Sequence, residues 1–157
     1  MIFKPLVAGV LAAVPSLFAV PASAGQTVDD IGSFACVVDK WDEKETEKGH
    51  KLVDYAGRCV LVPDDPADPK ASSECTGKYE YLPDESWKGS GNCTYLFKSG
   101  DQINETWEEG SHLKEYLYKF VGGTGRYKDA KGGGTYTSEN LTDTLSGGKY
   151  RGKIELP

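Results

Sequence analysis

The chain has 157 residues, a net charge of −6 and an 11% share of aromatic residues. An acidic chain with no block of Lys and Arg is not built for nucleic acid or anionic lipid, because phosphate binding needs clustered positive charge. The length sets the expectation of a single folded domain.

The first residues read as an export signal. Met1–Lys4 carries one positive charge, Pro5–Val20 is an almost unbroken apolar run, and Pro21–Ala24 supplies the small residues that a signal peptidase reads. Cleavage before Gly25 is predicted, leaving residues 25–157 as one domain. The apolar run is short for a membrane span and contains Pro15, so no membrane insertion is expected. The predicted location is periplasmic or secreted, and the compact Ala-Ser-Ala site has a bacterial style.

Beyond the signal, aromatic-rich alternation is broken by Gly, Pro, Asp and Ser clusters, and no stretch keeps apolar residues at helical spacing. Strands are predicted over Ser33–Trp41, Lys51–Val62, Glu74–Leu82, Ser86–Phe97, Gln102–Glu109, Leu113–Val121, Gly134–Leu141 and Lys149–Leu156. A polar loop is expected at Glu43–Gly49, with further breaks at Pro63–Lys70, Pro83–Glu85 and Lys98–Asp101. The predicted fold class is all-β, with about eight short antiparallel strands in a barrel or sandwich. Closure into a barrel removes the exposed edges that an exported protein must otherwise protect. The proline-rich Pro63–Lys70 loop is the expected place for a strand crossing or a flexible rim.

Cys36, Cys59, Cys75 and Cys93 are an even set in an exported domain, which points to two disulfides. Their wide spacing, with no C-x-x-C and only His50 and His112 as histidines, gives no zinc pattern, and no metal is expected. Hairpin geometry selects the pairing. A three-residue turn at Pro83–Glu85 sets Tyr81 opposite Trp87, Tyr79 opposite Gly89 and Cys75 opposite Cys93. A hairpin centred between Glu47 and Lys48 sets Cys36 opposite Cys59. Directly opposed antiparallel neighbours lie within disulfide reach.

The segment "GGTGRYKDAKGGGTYT", Gly122–Thr137, raises the question of a phosphate site. It lacks the Gly-Lys-Ser/Thr of a P-loop, and its G-x-G-x-x position falls on Lys128 where a dinucleotide fingerprint needs glycine. The residues after it alternate like a strand, whereas both motifs need a helix. A barrel corner fits instead, with glycines serving backbone geometry, Tyr127 turned inward and the basic residues in solvent. Gly123, Thr124, Gly125, Arg126, Tyr127, Ala130 and Gly132 resemble a late-strand connection of the allene oxide cyclase and dirigent-like barrel superfamily. Tyr127 stands where that family commonly has phenylalanine. The resemblance implies an eight-stranded antiparallel barrel and, by analogy, a cofactor-free cyclase or isomerase; it carries no catalytic residue onto this chain.

Candidate site residues lie on the predicted inner faces. Tyr79, Tyr81, Trp87, Tyr95 and Phe97 share one face, either as the lining of an apolar pocket or as ordinary core. Ile103, Glu105 and Trp107 share a strand face by period two, which sets a carboxylate between two apolar groups. Buried, Glu105 would be a proton donor or base with a raised pKa; the default for a glutamate in an acidic protein is the solvated outer face. A two-residue turn at Ser99–Gly100 puts Glu105 opposite the Tyr95 face, and a three-residue turn at Ser99–Asp101 puts it on that face. His112 reads as a solvated rim residue, and no Ser-His-Asp or Cys-His set can be assembled. The sequence supports three readings: a barrel binding a small, mainly apolar molecule without cofactor; a cofactor-free cyclase or isomerase; and a structural envelope protein with a filled barrel.

Overall fold

Residues 25–157 are described in a computed structural model, and the expected signal segment, 1–24, lies outside the described residues. The strands are β1 (Gln26–Glu47), β2 (His50–Pro63), β3 (Ala71–Tyr81), β4 (Trp87–Phe97), β5 (Gln102–Gly110), β6 (Tyr116–Gly123), β7 (Lys131–Asn140) and β8 (Leu145–Leu156). Each pairs antiparallel with the next, and β8 closes on β1. The result is a closed eight-stranded barrel, from which β1 runs on past Val37 paired with β2 alone. Every connection joins spatial neighbours, so the Pro63–Lys70 segment makes no crossing and serves only as a rim loop.

Period-two patterning fills the interior. Ser73, Cys75, Gly77, Tyr79 and Tyr81 of β3 face inward, while Ser72, Glu74, Thr76 and Lys78 between them are exposed. The β3–β4 register has Tyr81 opposite Trp87, Tyr79 opposite Gly89 and Cys75 opposite Cys93. Cys36 faces Cys59 across β1–β2. Both predicted disulfides form, and all four cysteines are buried on the inner wall.

Three local expectations are corrected. The polar segment Glu43–Gly49 is strand as far as Glu47, and only Lys48–Gly49 turns, with Gly49 at φ +79°. Its side chains are solvated on a projecting ribbon, where Lys51 pairs with Glu43 at 2.6 Å, so polarity here marks exposure rather than a loop. The sixth strand starts at Tyr116 instead of Leu113, because the Leu113 N–H donates to the Gly110 carbonyl and closes a turn. The β1–β2 hairpin is centred between Lys48 and Gly49 instead of Glu47 and Lys48. Cys36 meets Cys59 only because pairing shifts by one residue twice, between Glu45 and Glu47 and between Val38 and Lys40, the latter a bulge at Asp39. The extra residue reverses the phase of β1, so Trp41, opposite Tyr55, turns to the same side as Cys36 and Val38.

The glycine-rich corner closes one end of the barrel. Gly125–Tyr127 forms one 3-10 turn, Tyr127 is buried and stacks on Phe97 at 4.6 Å, and Ala130 is buried beside it. Arg126, Lys128 and Lys131 are exposed. Gly125 has φ +53°, and a Cβ there would run into the Asp101 carboxylate. Gly125→Val is expected to destabilise the fold by about 1–3 kcal/mol. Lys128→Ala and Lys131→Ala should each change it by about 0.5 kcal/mol or less. Urea unfolding of the three variants checks this; a larger loss from either lysine than from the glycine would overturn the corner's structural role. The two strands that this corner joins, β6 and β7, share only four paired positions, Tyr116–Tyr136 through Lys119–Gly133, the shortest ladder in the barrel.

Candidate functional site

The interior is shaped by rings lying over glycines. A Cβ on Gly77 or on Gly91 would run into the Trp107 ring, and one on Gly89 into the Tyr79 ring. Bare backbone lets these rings lie against the wall, the arrangement by which aromatic residues cover strand glycines. The space left between them is a cavity of about 740 Å³.

Tyr79, Tyr81, Trp87, Tyr95, Phe97 and Trp107 all line this cavity, as does Glu105. They divide between two levels. Tyr95 and Phe97 lie toward the glycine corner, with Ile103, Phe120 and Tyr127, where side chains are largely buried. Tyr79, Tyr81 and Trp87 lie toward the other end, with Trp41, Tyr55, Tyr116 and Tyr136, and these remain partly exposed; Trp41 is 43% exposed. The second end is the mouth. There Tyr79 sits 5.2 Å from Trp41, 5.5 Å from Trp107 and 5.9 Å from Tyr55, ring centre to ring centre.

Glu105 is inside, only 7% exposed, which overturns the default of a solvated outer face. Neither anticipated turn occurs. Phe97 and Asp101 close a three-residue turn over Lys98–Gly100, with Gly100 at φ +89°, so Glu105 lies opposite Cys93 and in phase with Tyr95. The Tyr95 hydroxyl donates to Glu105 Oε1 at 2.9 Å. Burial pushes the Glu105 carboxyl up to about 8, opposed by the Tyr95 hydrogen bond and reinforced by Asp30.

Of the other carboxyl groups along the cavity wall, Asp30 and Glu109 are bound to tyrosine hydroxyls inside it. Asp30 accepts a 2.6 Å hydrogen bond from Tyr118, and burial raises its pKa to about 6. Glu109 accepts from Tyr79 at 2.9 Å and from Tyr136 at 2.8 Å, and burial raises it as well. The tyrosine hydroxyls are in turn held protonated: desolvation and the adjoining carboxylates raise Tyr79, Tyr95, Tyr118 and Tyr136. Each of these three carboxyl groups is thus presented on one or two phenol donors, in a wall that is mainly aromatic and aliphatic and includes both disulfides. Such a set can orient one polar group of a bound molecule and move a proton at Glu105.

Asp30 lies in the stretch of β1 that polarity hid, and Trp41 beyond a bulge that alternation cannot foresee. Glu109, by contrast, continues the inward series Ile103, Glu105, Trp107 and is readable from that period. His112 is exposed in the β5–β6 loop and takes no part. Among the described residues no group of His, Cys, Asp and Glu is arranged to hold a metal ion.

No protein-family profile and no curated protein matches the chain. Solved structures do. The pterocarpan synthase dirigent protein GePTS1 superposes with a TM-score of 0.58 at 13% identity, over 92% of this chain and 97% of that one. The pterocarpan synthase dirigent protein PsPTS1 gives 0.55 at 12% identity, over 83% and 96%. A protein of unknown function from the DUF3224 family of Shewanella oneidensis gives 0.57 at 11% identity, over 81% and 96%. At such identities the likeness is one of fold, and the fold is that of the dirigent-like eight-stranded barrels.

Proposed function

We propose that the protein binds a small, mainly apolar molecule inside the barrel. The observation that carries this reading is the cavity of about 740 Å³, walled by aromatic rings with a few convergent polar groups. A volume of that order takes a ligand of drug or metabolite size, and it counts against a filled, purely structural barrel. Two disulfides fit an oxidising compartment, in keeping with export through the segment 1–24. All three tryptophans of the chain, Trp41, Trp87 and Trp107, line the cavity. Titration with the neutral fluorophore N-phenyl-1-naphthylamine should therefore give saturable tryptophan quenching with matching growth of probe emission. No saturable change with several chemically different apolar probes would refute the pocket.

Buried Glu105 supports a second reading, a cofactor-free cyclase or isomerase of the allene oxide cyclase-like type. A carboxyl with a pKa of about 8 exchanges its proton near neutral pH, and the cavity would hold a reactive substrate in one shape around it. The two dirigent barrels are synthases by name, which agrees with such chemistry on this fold. Turnover that survives intact in Glu105→Gln would exclude the residue from it.

A further inference from the structure

The charge inside the barrel has only one sign. Asp30, Glu105 and Glu109 face the cavity, while the cationic side chains along its wall are Lys40 and Arg126, both exposed at the rims. Lys40 is already paired with Asp42 at 3.0 Å, and Arg126 lies over the Tyr127 ring at the closed end. A neutral guest entering the cavity would dry these carboxyl groups further and return nothing to them.

Glu109 stands apart from the other two by position. It belongs to the mouth, fixed between the hydroxyls of Tyr79 and Tyr136. The Tyr79 ring that holds it is packed among Trp41, Tyr55, Trp87 and Trp107, with ring centres 5.2–6.1 Å away. Tyr136 adds Tyr116 at 5.4 Å on the other side. Electron-rich rings attract a cation within about 6 Å of the ring centre, tryptophan most strongly, and the attraction grows as water is excluded. A carboxylate carried on two phenols inside such a set of rings is built for a soft, bulky positive charge, one that sheds water at little cost. A metal ion needs convergent oxygen ligands instead, and none are grouped here among the described residues.

We propose that the mouth of the barrel recognises an organic cation, a quaternary or protonated amine on an apolar body, held by Glu109 and the rings of Trp41, Tyr79 and Trp87. The apolar body occupies the deeper cavity toward Tyr95 and Phe97. This inference rests on the interior-binding reading given above and narrows its ligand class.

A matched pair of probes tests it: phenyltrimethylammonium and its neutral isostere tert-butylbenzene, bound to the full mature protein at about pH 9, where carboxyl groups ionise. The expected result is that the cation binds at least about tenfold more tightly than the neutral probe, although simple transfer from water favours the neutral one. Glu109→Gln should remove most of that preference while both probes still bind, and Trp41→Leu should cost the cation about fivefold more than the neutral probe. Tighter or equal binding of tert-butylbenzene to the parent protein overturns the inference and leaves the apolar pocket standing. A cation preference that survives Glu109→Gln overturns the assignment to this carboxylate. Binding of neither probe overturns the inference and the interior-binding reading together. Should Glu109→Gln not fold, the parent protein's own preference still decides the ligand class.

Discussion

Glu105→Gln should be more stable than the parent protein at alkaline pH, by up to about 5 kcal/mol, and equal to it in acid. The folded-state pKa of about 8 lies above the ordinary value of 4.5 for this carboxyl, because burial penalises the charged form. The folded chain therefore holds this proton more tightly than the unfolded chain. Stability is full below the unfolded pKa and falls as pH rises from about 4.5 through about 8, then stays low. Asp30, raised from 3.8 to about 6, adds a slope of the same sign at lower pH. Glutamine keeps the shape and an acceptor for the Tyr95 hydroxyl but cannot ionise, so the Glu105 share of the slope disappears. Urea unfolding of both proteins across pH 4 to 9 reads the difference directly. Parallel stability curves would mean that Glu105 ionises in the fold as freely as in water. A loss of that size would support the site role proposed for Glu105 over that of a core residue.

Removing both disulfides should cost nearly as much as the whole stability of many domains of this size. The sequence separations of 23 and 18 residues correspond, on loop-closure grounds, to about 3 kcal/mol for each bridge. The two loops do not overlap in sequence, so their loop-closure contributions should add to about 6 kcal/mol, with any packing loss between Cys59 and Cys75, neighbours across β2 and β3, on top of that sum. A domain of this length has roughly 7–20 kcal/mol in total. Cys36→Ala/Cys59→Ala and Cys75→Ala/Cys93→Ala should each lower the urea midpoint clearly, and the four-fold alanine variant should be marginal at body temperature. A combined loss below about 1 kcal/mol would show that the bridges act in some way other than restricting the unfolded chain.

Legibility from the sequence depended on whether the signal was local. The β3–β4 hairpin was legible to the residue, because turn length, aromatic alternation and the Cys75–Cys93 match all agreed on one register. The glycine corner was legible because no helix-start pattern came after it, and inward Tyr127 agreed with that. Gln26–Gly32 was not, since a polar and glycine-containing segment becomes strand only through pairing with β8, a partner far away in sequence. The missing stretch hid Asp30. A single extra residue at Asp39 concealed Trp41, because one slip exchanges the faces of a strand. The face of Glu105 hung on a turn whose length could be set in advance as two or three residues but whose position was one residue earlier than the three-residue choice.

The barrel is also unevenly joined around its circumference. Both covalent bridges tie β1 to β2 and β3 to β4, so half of the wall is locked in hairpins that cannot part. Opposite them, β6 and β7 meet over four residue pairs, beside a corner rich in glycine. Thermal fluctuation must therefore open the cylinder along that line first, like a cuff with its clasp on one side. Such an opening would be a lateral route into the cavity, and the exchange rate of anything held inside would then track how often the clasp springs.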